Sequence, residues 1–404
     1  MRSILKFALM AWGLCLTVSG TCAQQWVATW ATAPQLVEPH NLAPEPGLAG
    51  NSLRQIVQVS IGGSQMRLTL TNEFSRDSTE ILGIEVAKAM SSGSSYAIDE
   101  NSSKAVTFSG SKQITIAGGQ MATSDAIDFS LQPRQNVAIT IHYGKCSDKV
   151  VTGHPGSRTT SYLTAGNTSD FGKSVPTNHW YNLRRISVLT DASACAVAVL
   201  GNSITDGRGS TTNEQDRWPD MLSRALLANK STSKVGVLNL GIGGNSVLAG
   251  GLGPTGVSRF QRDCLDQPGV KYVILFEGIN DLGNSRDGVQ TAQGLIKAFR
   301  QMIRQCHEQG VWVYGATITP FKNNNYYSEH LEAGRQLFNE WVRNGGEFDG
   351  IIDFDRLVRS TKDPASLDER FLFENDYLHP NAAGYRLMGE SVDLKMFVRK
   401  GKSL

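Results

Sequence analysis

Four short segments in the C-terminal half of this 404-residue chain carry side chains whose types and order could attack an acyl carbon. They are Gly201-Asn202-Ser203-Ile204, Asn239 to Asn245 (N-L-G-I-G-G-N), Gly278-Ile279-Asn280-Asp281 and Asp376-Tyr377-Leu378-His379. In that order they offer a hydroxyl, a backbone donor, a side-chain amide, and an acid followed three residues later by a base. An activated hydroxyl, donors for an oxyanion and a histidine to move the proton are what an ester carbonyl requires.

Each segment is weak when taken alone. Ser203 follows the apolar run Ala196 to Leu200, where a serine is more often a helix cap than a nucleophile. It does not match the G-x-S-x-G elbow either, because Thr205 stands in the second glycine's place. Gly244 lies in a glycine-dense loop that could simply shape a turn, although a glycine also lets backbone approach a substrate oxygen closely. Asn280 could donate to an oxyanion or form a turn, and Asp281 beside it is suited to holding its loop by hydrogen bonds. Of the seven histidines only His379 has an acid three residues before it. That spacing lets Asp376 accept from one imidazole nitrogen and leaves the other for Ser203, though a helix cap beside a solvent histidine has the same spacing.

The elements that must position these residues are legible from periodicity. Residues 24–186 alternate apolar and polar side chains, most clearly at Met66 to Thr71 and Asn136 to Ile141, with Ile56 to Ile61, Ala105 to Phe108 and Ile114 to Ile116 in support. Turn clusters such as Gly62-Gly63-Ser64 and Gly118-Gly119 separate them, so this region is expected to be an antiparallel, jelly-roll-like β-sandwich. In residues 187–404 the pattern changes to short apolar runs: Ala196 to Leu200, Val235 to Leu240, Tyr272 to Phe276, Val311 to Ile318 and Ile351-Ile352. Helical patterns lie between them, around Trp218 to Leu226, Leu295 to Cys306 and Leu337 with Trp341, and a last helix should start after Pro380. Strand and helix in alternation imply a parallel sheet with helices on both faces. The ligand site of such a sheet lies beyond the carboxyl ends of its strands, where three of the four segments fall.

Taken together, the segments resemble the SGNH or GDSL hydrolase superfamily over about Ala194 to the C-terminus. The resemblance implies a flavodoxin-like three-layer α/β/α domain with Ser203 as nucleophile, His379 as base and Asp376 orienting it. It also implies an oxyanion hole of the Ser203 amide, Gly244 and Asn280, with no metal and no organic cofactor. A backbone carbonyl that also orients the base is common in such enzymes. Asn202 departs from the namesake motif, which has aspartate there, and this puts the anchoring of the loop in question. The string G-N-S-I-T-D-G, the β-rich first region and W-V-A-T-W-A at Trp26 to Ala31 also look like secreted bacterial carbohydrate acetylesterases. That likeness suggests O-acetyl groups of a plant-type polysaccharide as substrate. Tyr326 and Tyr327 are then candidates for a sugar-stacking surface, and His154, in Thr152 to Gly156, for a reach across to the mouth of the site. A lipase or thioesterase with the same triad, a carbohydrate-binding protein with a decayed site and a metal-dependent hydrolase are the alternatives. Asp376 and His379 lack the further ligands a metal would need.

Arg2 and Lys6 precede an apolar run from Phe7 to Val18, with small residues at Thr21 and Ala23, so residues 1–23 read as a cleaved secretory signal and the product as secreted or periplasmic. The run is too short for a spanning helix, so no stable membrane insertion is expected after cleavage. Its removal leaves 37 Lys and Arg against 37 Asp and Glu, and that balance gives no reason to expect a nucleic-acid partner. Cys146, Cys195, Cys264 and Cys306 remain. Two disulfides are plausible in an oxidising compartment, 146 with 195 and 264 with 306 being the pairs nearest in sequence, and buried free thiols are the alternative.

Overall fold

The computed structural model describes residues 23–398, so the expected signal segment lies, apart from Ala23, outside the described residues. In the C-terminal part five parallel strands form one sheet in the spatial order Val235–Gly241, Cys195–Gly201, Val270–Phe276, Trp312–Ala316, Gly350–Ile352. Successive side chains of a strand point to opposite faces, so each apolar run serves two layers. Val197, Val199, Ile274 and Phe276 pack with Trp218 and Leu222 of one helix, Trp218–Ala228, and with Tyr385 and Met388 of another, Ala382–Glu390. Ala198, Leu200, Val273 and Leu275 pack with Leu295, Phe299 and Met302 of the long helix Gly288–Glu308 and with Phe338 of Glu329–Asn344. The result is the three-layer α/β/α arrangement expected from the alternation.

The N-terminal part is antiparallel. One sheet runs Gln24–Ala31, Leu183–Asp191, Gln65–Thr71, Met121–Thr123; the other runs Val175–Thr177, Ser161–Thr164, Ser52–Gln58, Asn136–Tyr143, Thr79–Ala89, Ile98–Ala105, with Ile114–Ile116 paired to Thr79–Ala89. Met66, Leu68 and Val188 of the first share a core with Leu53, Val57, Ile139 and Ile141 of the second. A small third sheet, Trp180–Tyr181, Thr152–His154 and Gln35–Leu36, lies beside the site described below.

The two parts join through continuous apolar packing, with Val27, Ala28 and Ile61 in the same cluster as Ala196, Leu238 and Leu240. Val235–Gly241 is an edge strand, and its Val237 amide donates to Ser60 Oγ at 3.0 Å, so the N-terminal part also satisfies backbone the parallel sheet leaves open. The strand Leu183–Asp191 runs through the boundary expected at 186/187 and pairs along its length with Gln24–Ala31, so the change of texture falls between Asp191 and Cys195.

Neither expected disulfide forms, because Cys146, Cys195 and Cys264 are free thiols. Cys195 belongs to the core on the Trp218–Ala228 side of the parallel sheet, whereas Cys146 packs against the other core. Burial pushes the Cys264 thiol well up, and in that protonated form it serves as a small core side chain. Among the described residues no helix is long and apolar enough to cross a membrane.

Candidate active site

The strand Cys195–Gly201 ends in a sharp turn into the short helix Ser203–Asp206, which presents Ser203 at the carboxyl edge of the sheet. Asn202 caps this helix: its Oδ1 accepts from the Ile204 amide at 3.0 Å and its Nδ2 donates to Glu277 Oε2 at 3.1 Å. Asn202 thus anchors the loop through both ends of its side-chain amide, the oxygen on the helix and the nitrogen on the buried Glu277. Burial pushes the Glu277 carboxyl up to about 8, with Arg259 at 3.4 Å acting in the opposite direction.

Ser203 Oγ lies 2.7 Å from His379 Nε2, and His379 Nδ1 lies 2.6 Å from Asp376 Oδ2. Asp376 Oδ1 accepts from the amides of Leu378 and His379, each at 2.9 Å, so the turn that brings acid and base together also fixes the carboxylate's orientation. Burial would raise the Asp376 carboxyl, but the His379 ring and these amides outweigh it and hold the group below its ordinary value. Burial lowers the His379 pKa, assisted by Arg208 and Arg158 and opposed by Asp376. Asp376 is the acceptor facing His379 Nδ1 among the described residues; the backbone carbonyl expected to share this work is not there.

Gly244 takes φ +69°, a left-handed conformation that glycine adopts without strain, and a Cβ there would meet Leu252 at 3.2 Å. Among the described residues neither its amide nor that of Ser203 has a protein acceptor. Asn280 Nδ2 donates to the Asn245 carbonyl at 2.7 Å and Tyr326 donates its hydroxyl to Asn280 Oδ1 at 3.2 Å. The tyrosine therefore fixes which way the amide faces, leaving one N–H of Nδ2 for a ligand. Asp281 accepts from the amides of Val247 and Leu248, both at 2.9 Å, tying the Gly244 loop to the Asn280 turn as the sequence suggested.

A cleft of about 390 Å³ contains Ser203, Gly244, Asn280, Tyr326 and His379. Its opposite wall comes from the N-terminal part, including Glu38, His154 and Arg158. His154 does reach the site, but from beneath. It is buried, stacks on Trp180 and bonds Ala33 O at 3.0 Å and Asp206 Oδ1 at 2.9 Å, so both ring nitrogens are committed to the protein. Of the two tyrosines considered for sugar stacking, Tyr326 lines the cleft and also donates to Asn280, while Tyr327 is outside the cleft lining with its ring edge-on to Phe321. Sequence reasoning missed Asp206, Arg158 and Arg208. Asp206 stands three residues after Ser203 in the motif itself, and Arg158 closes the loop that drew attention to His154.

No curated protein matches the chain. Among solved structures it is similar to a catalytic mutant of an acetylxylan esterase from Geobacillus stearothermophilus, at 16% identity and TM-score 0.38, over 51% of this chain and 94% of that one. An active-site mutant of a family two carbohydrate esterase from Clostridium thermocellum aligns over 92% of this chain and 96% of its own, at 12% identity and TM-score 0.37. A member of the lipolytic protein G-D-S-L family from Veillonella parvula aligns over 48% and 94%, at 19% identity and TM-score 0.33. Residues 199–387, which hold all four motif segments, match the GDSL-like Lipase/Acylhydrolase family. Behind its antiparallel β-sheet region the chain thus carries a domain that matches the GDSL-like Lipase/Acylhydrolase family model.

Proposed function

We propose that the protein is a secreted or periplasmic serine esterase that removes O-acetyl groups from a plant-type polysaccharide or its oligosaccharides by two-step acyl transfer. The observation that carries this reading is the unbroken chain from Ser203 Oγ through His379 to Asp376, at 2.7 and 2.6 Å. His379 Nε2 takes the hydroxyl proton as Ser203 Oγ bonds to the acyl carbon, and Asp376 stabilises the imidazolium that forms. The carbonyl oxygen becomes an oxyanion facing the Ser203 and Gly244 amides and Asn280 Nδ2. Collapse breaks the bond to the sugar oxygen, which leaves with the proton from His379. Water, deprotonated by the same nitrogen, then attacks the acetyl-serine, releasing acetate and restoring the Ser203 hydroxyl.

The lining of the cleft favours a short acyl group on a polar alcohol. Leu252 and Leu378 are the aliphatic side chains in a wall made mostly of polar and charged residues, and Leu252 stands directly against Gly244. The apolar part of the wall is small, formed by Leu252, Leu378, Pro155 and the Tyr326 ring, which suits a short acyl group. Acetate release from acetylated plant polysaccharides, measured beside hydrolysis of 4-nitrophenyl esters of rising acyl length, tests this. Release from a glycan with rates falling from acetyl to octanoyl is expected; fastest hydrolysis of the octanoyl ester with no glycan activity would make the enzyme a lipase.

A further inference from the structure

We infer that Arg208, with Arg158, forms an anion subsite beside Ser203, so that the preferred substrate is an O-acetylated sugar bearing a carboxylate on the acetylated residue or its neighbour. This rests on the acetylesterase reading above and adds the charge of the sugar to it.

Arg208 is rigidly placed. Its amide donates to the carbonyl of Ser203 at 2.9 Å, and its own carbonyl accepts from the buried Tyr385 hydroxyl at 2.5 Å, so its backbone is fixed to the nucleophile's turn on one side and to the last helix on the other. Its side chain is exposed, lines the cleft and pairs with no carboxylate among the described residues. An isolated guanidinium at the mouth of a catalytic cleft offers a planar, permanently charged fork with its hydrogen-bonding capacity unspent.

Arg158 enters the same cleft from the N-terminal part. It adopts φ +49°, an uncommon conformation for a non-glycine residue, and its side chain makes one long contact, Nη2 to Asp206 Oδ2 at 3.4 Å. Its Nε is buried without a partner. Of the cleft's own acids, Asp206 takes up only the one long contact with Arg158, and neither acid pairs with Arg208. Asp206 is engaged by His154, and Gly156 packs so tightly over it that a Cβ there would meet Oδ2 at 1.9 Å. Glu38 accepts from Gln35 Nε2 at 2.5 Å and Asn41 Nδ2 at 3.0 Å. His379 senses both arginines, since each disfavours its protonation. A bound carboxylate would give the Arg208 guanidinium the partner it lacks and would share the Arg158 guanidinium with Asp206.

The test compares acetylated galacturonan as the free acid with the same polymer fully methyl-esterified, using 4-nitrophenyl acetate as the uncharged reference for wild type, Arg208→Gln and Arg208→Lys. Wild type should show kcat/KM about tenfold or more in favour of the free acid. Arg208→Gln should bring that ratio to about one, and Arg208→Lys should restore part of it. Equal or faster release from the methyl ester by wild type, with 4-nitrophenyl acetate still hydrolysed, would overturn the anion subsite and leave the esterase standing. So would an unchanged ratio in Arg208→Gln. Loss of hydrolysis on all substrates by wild type would instead remove the esterase reading, and the subsite with it.

Discussion

His154 Nε2 of the N-terminal region lies 2.9 Å from Asp206 Oδ1, and Asp206 is the last residue of the short helix that Ser203 begins. The β-rich region thus grips the nucleophile's own turn, so that both regions set the geometry of one catalytic residue. Asp206→Asn keeps the shape but removes the charge that holds His154 and Arg158. A displacement of about 1 Å at a reacting group can cost about 10²-fold in rate. We expect kcat on 4-nitrophenyl acetate to fall by about 10- to 100-fold while KM changes little; steady-state kinetics on a variant with normal circular dichroism check this.

Tyr326 acts through Asn280. Tyr326→Phe deletes the donor to Asn280 Oδ1 at 3.2 Å and lets the amide rotate, while Asn280→Ala removes the oxyanion donor itself. The alanine variant should lose about 10²- to 10³-fold in kcat. The phenylalanine variant should lose a smaller factor, about 3- to 10-fold on the worth of one hydrogen bond. In the double variant the tyrosine effect should vanish, since its partner is gone.

Asp376 is the partner facing His379 Nδ1. Asp376→Asn should therefore be severe, about 10³- to 10⁴-fold in kcat, as for triads whose acid works alone. Activity requires neutral His379, whose pKa is lowered by burial, so the acid limb of the kcat/KM profile should lie below about pH 6.5. Removing the Asp376 carboxylate disfavours the imidazolium further and should move that limb to still lower pH. Arg208→Gln removes a cation and should move it up.

Asn202 is matched to Glu277. Asn202→Asp replaces the amide donor with a second acid about 3.1 Å from Glu277 Oε2, and the two carboxyls must then hold a proton between them. The proton the pair shares comes off above the ordinary carboxylate range, so the stability of the variant is retained at low pH and lost as pH rises through that value. Its Tm deficit against wild type should widen between about pH 5 and pH 9. A deficit that narrows with rising pH would contradict this pairing.

Much of this architecture is legible in the sequence because it is periodic. The runs from Ala196, Val235, Tyr272 and Val311 supply the strands they predict, the last shortened to Trp312–Ala316, since a strand covered on both faces must be apolar throughout. The apolar stripes at Trp218 to Leu226, Leu295 to Cys306 and Leu337 with Trp341 fall in helices, the last two starting earlier than the stripes, at Gly288 and Glu329. Phe108, expected in a strand, makes only an isolated bridge to Ser111, because alternation over a few residues also occurs in turns. The exact partners of side chains far apart in sequence were not legible. Nothing in the spacing of His154 and Asp206, or of Tyr326 and Asn280, marks them as partners, since such pairs are set by tertiary folding rather than by local period. The cysteines show the same limit: their number makes bridges plausible, but Cys146 and Cys195 fall in separate cores and Cys264 is a free thiol.

The most direct test of the account is hydrolysis of 4-nitrophenyl acetate by wild type and Ser203→Ala, each checked for folding by its Tm. The account predicts loss of at least about 10⁴-fold in kcat with the Tm retained. Turnover near wild type in the folded Ser203→Ala protein would contradict it.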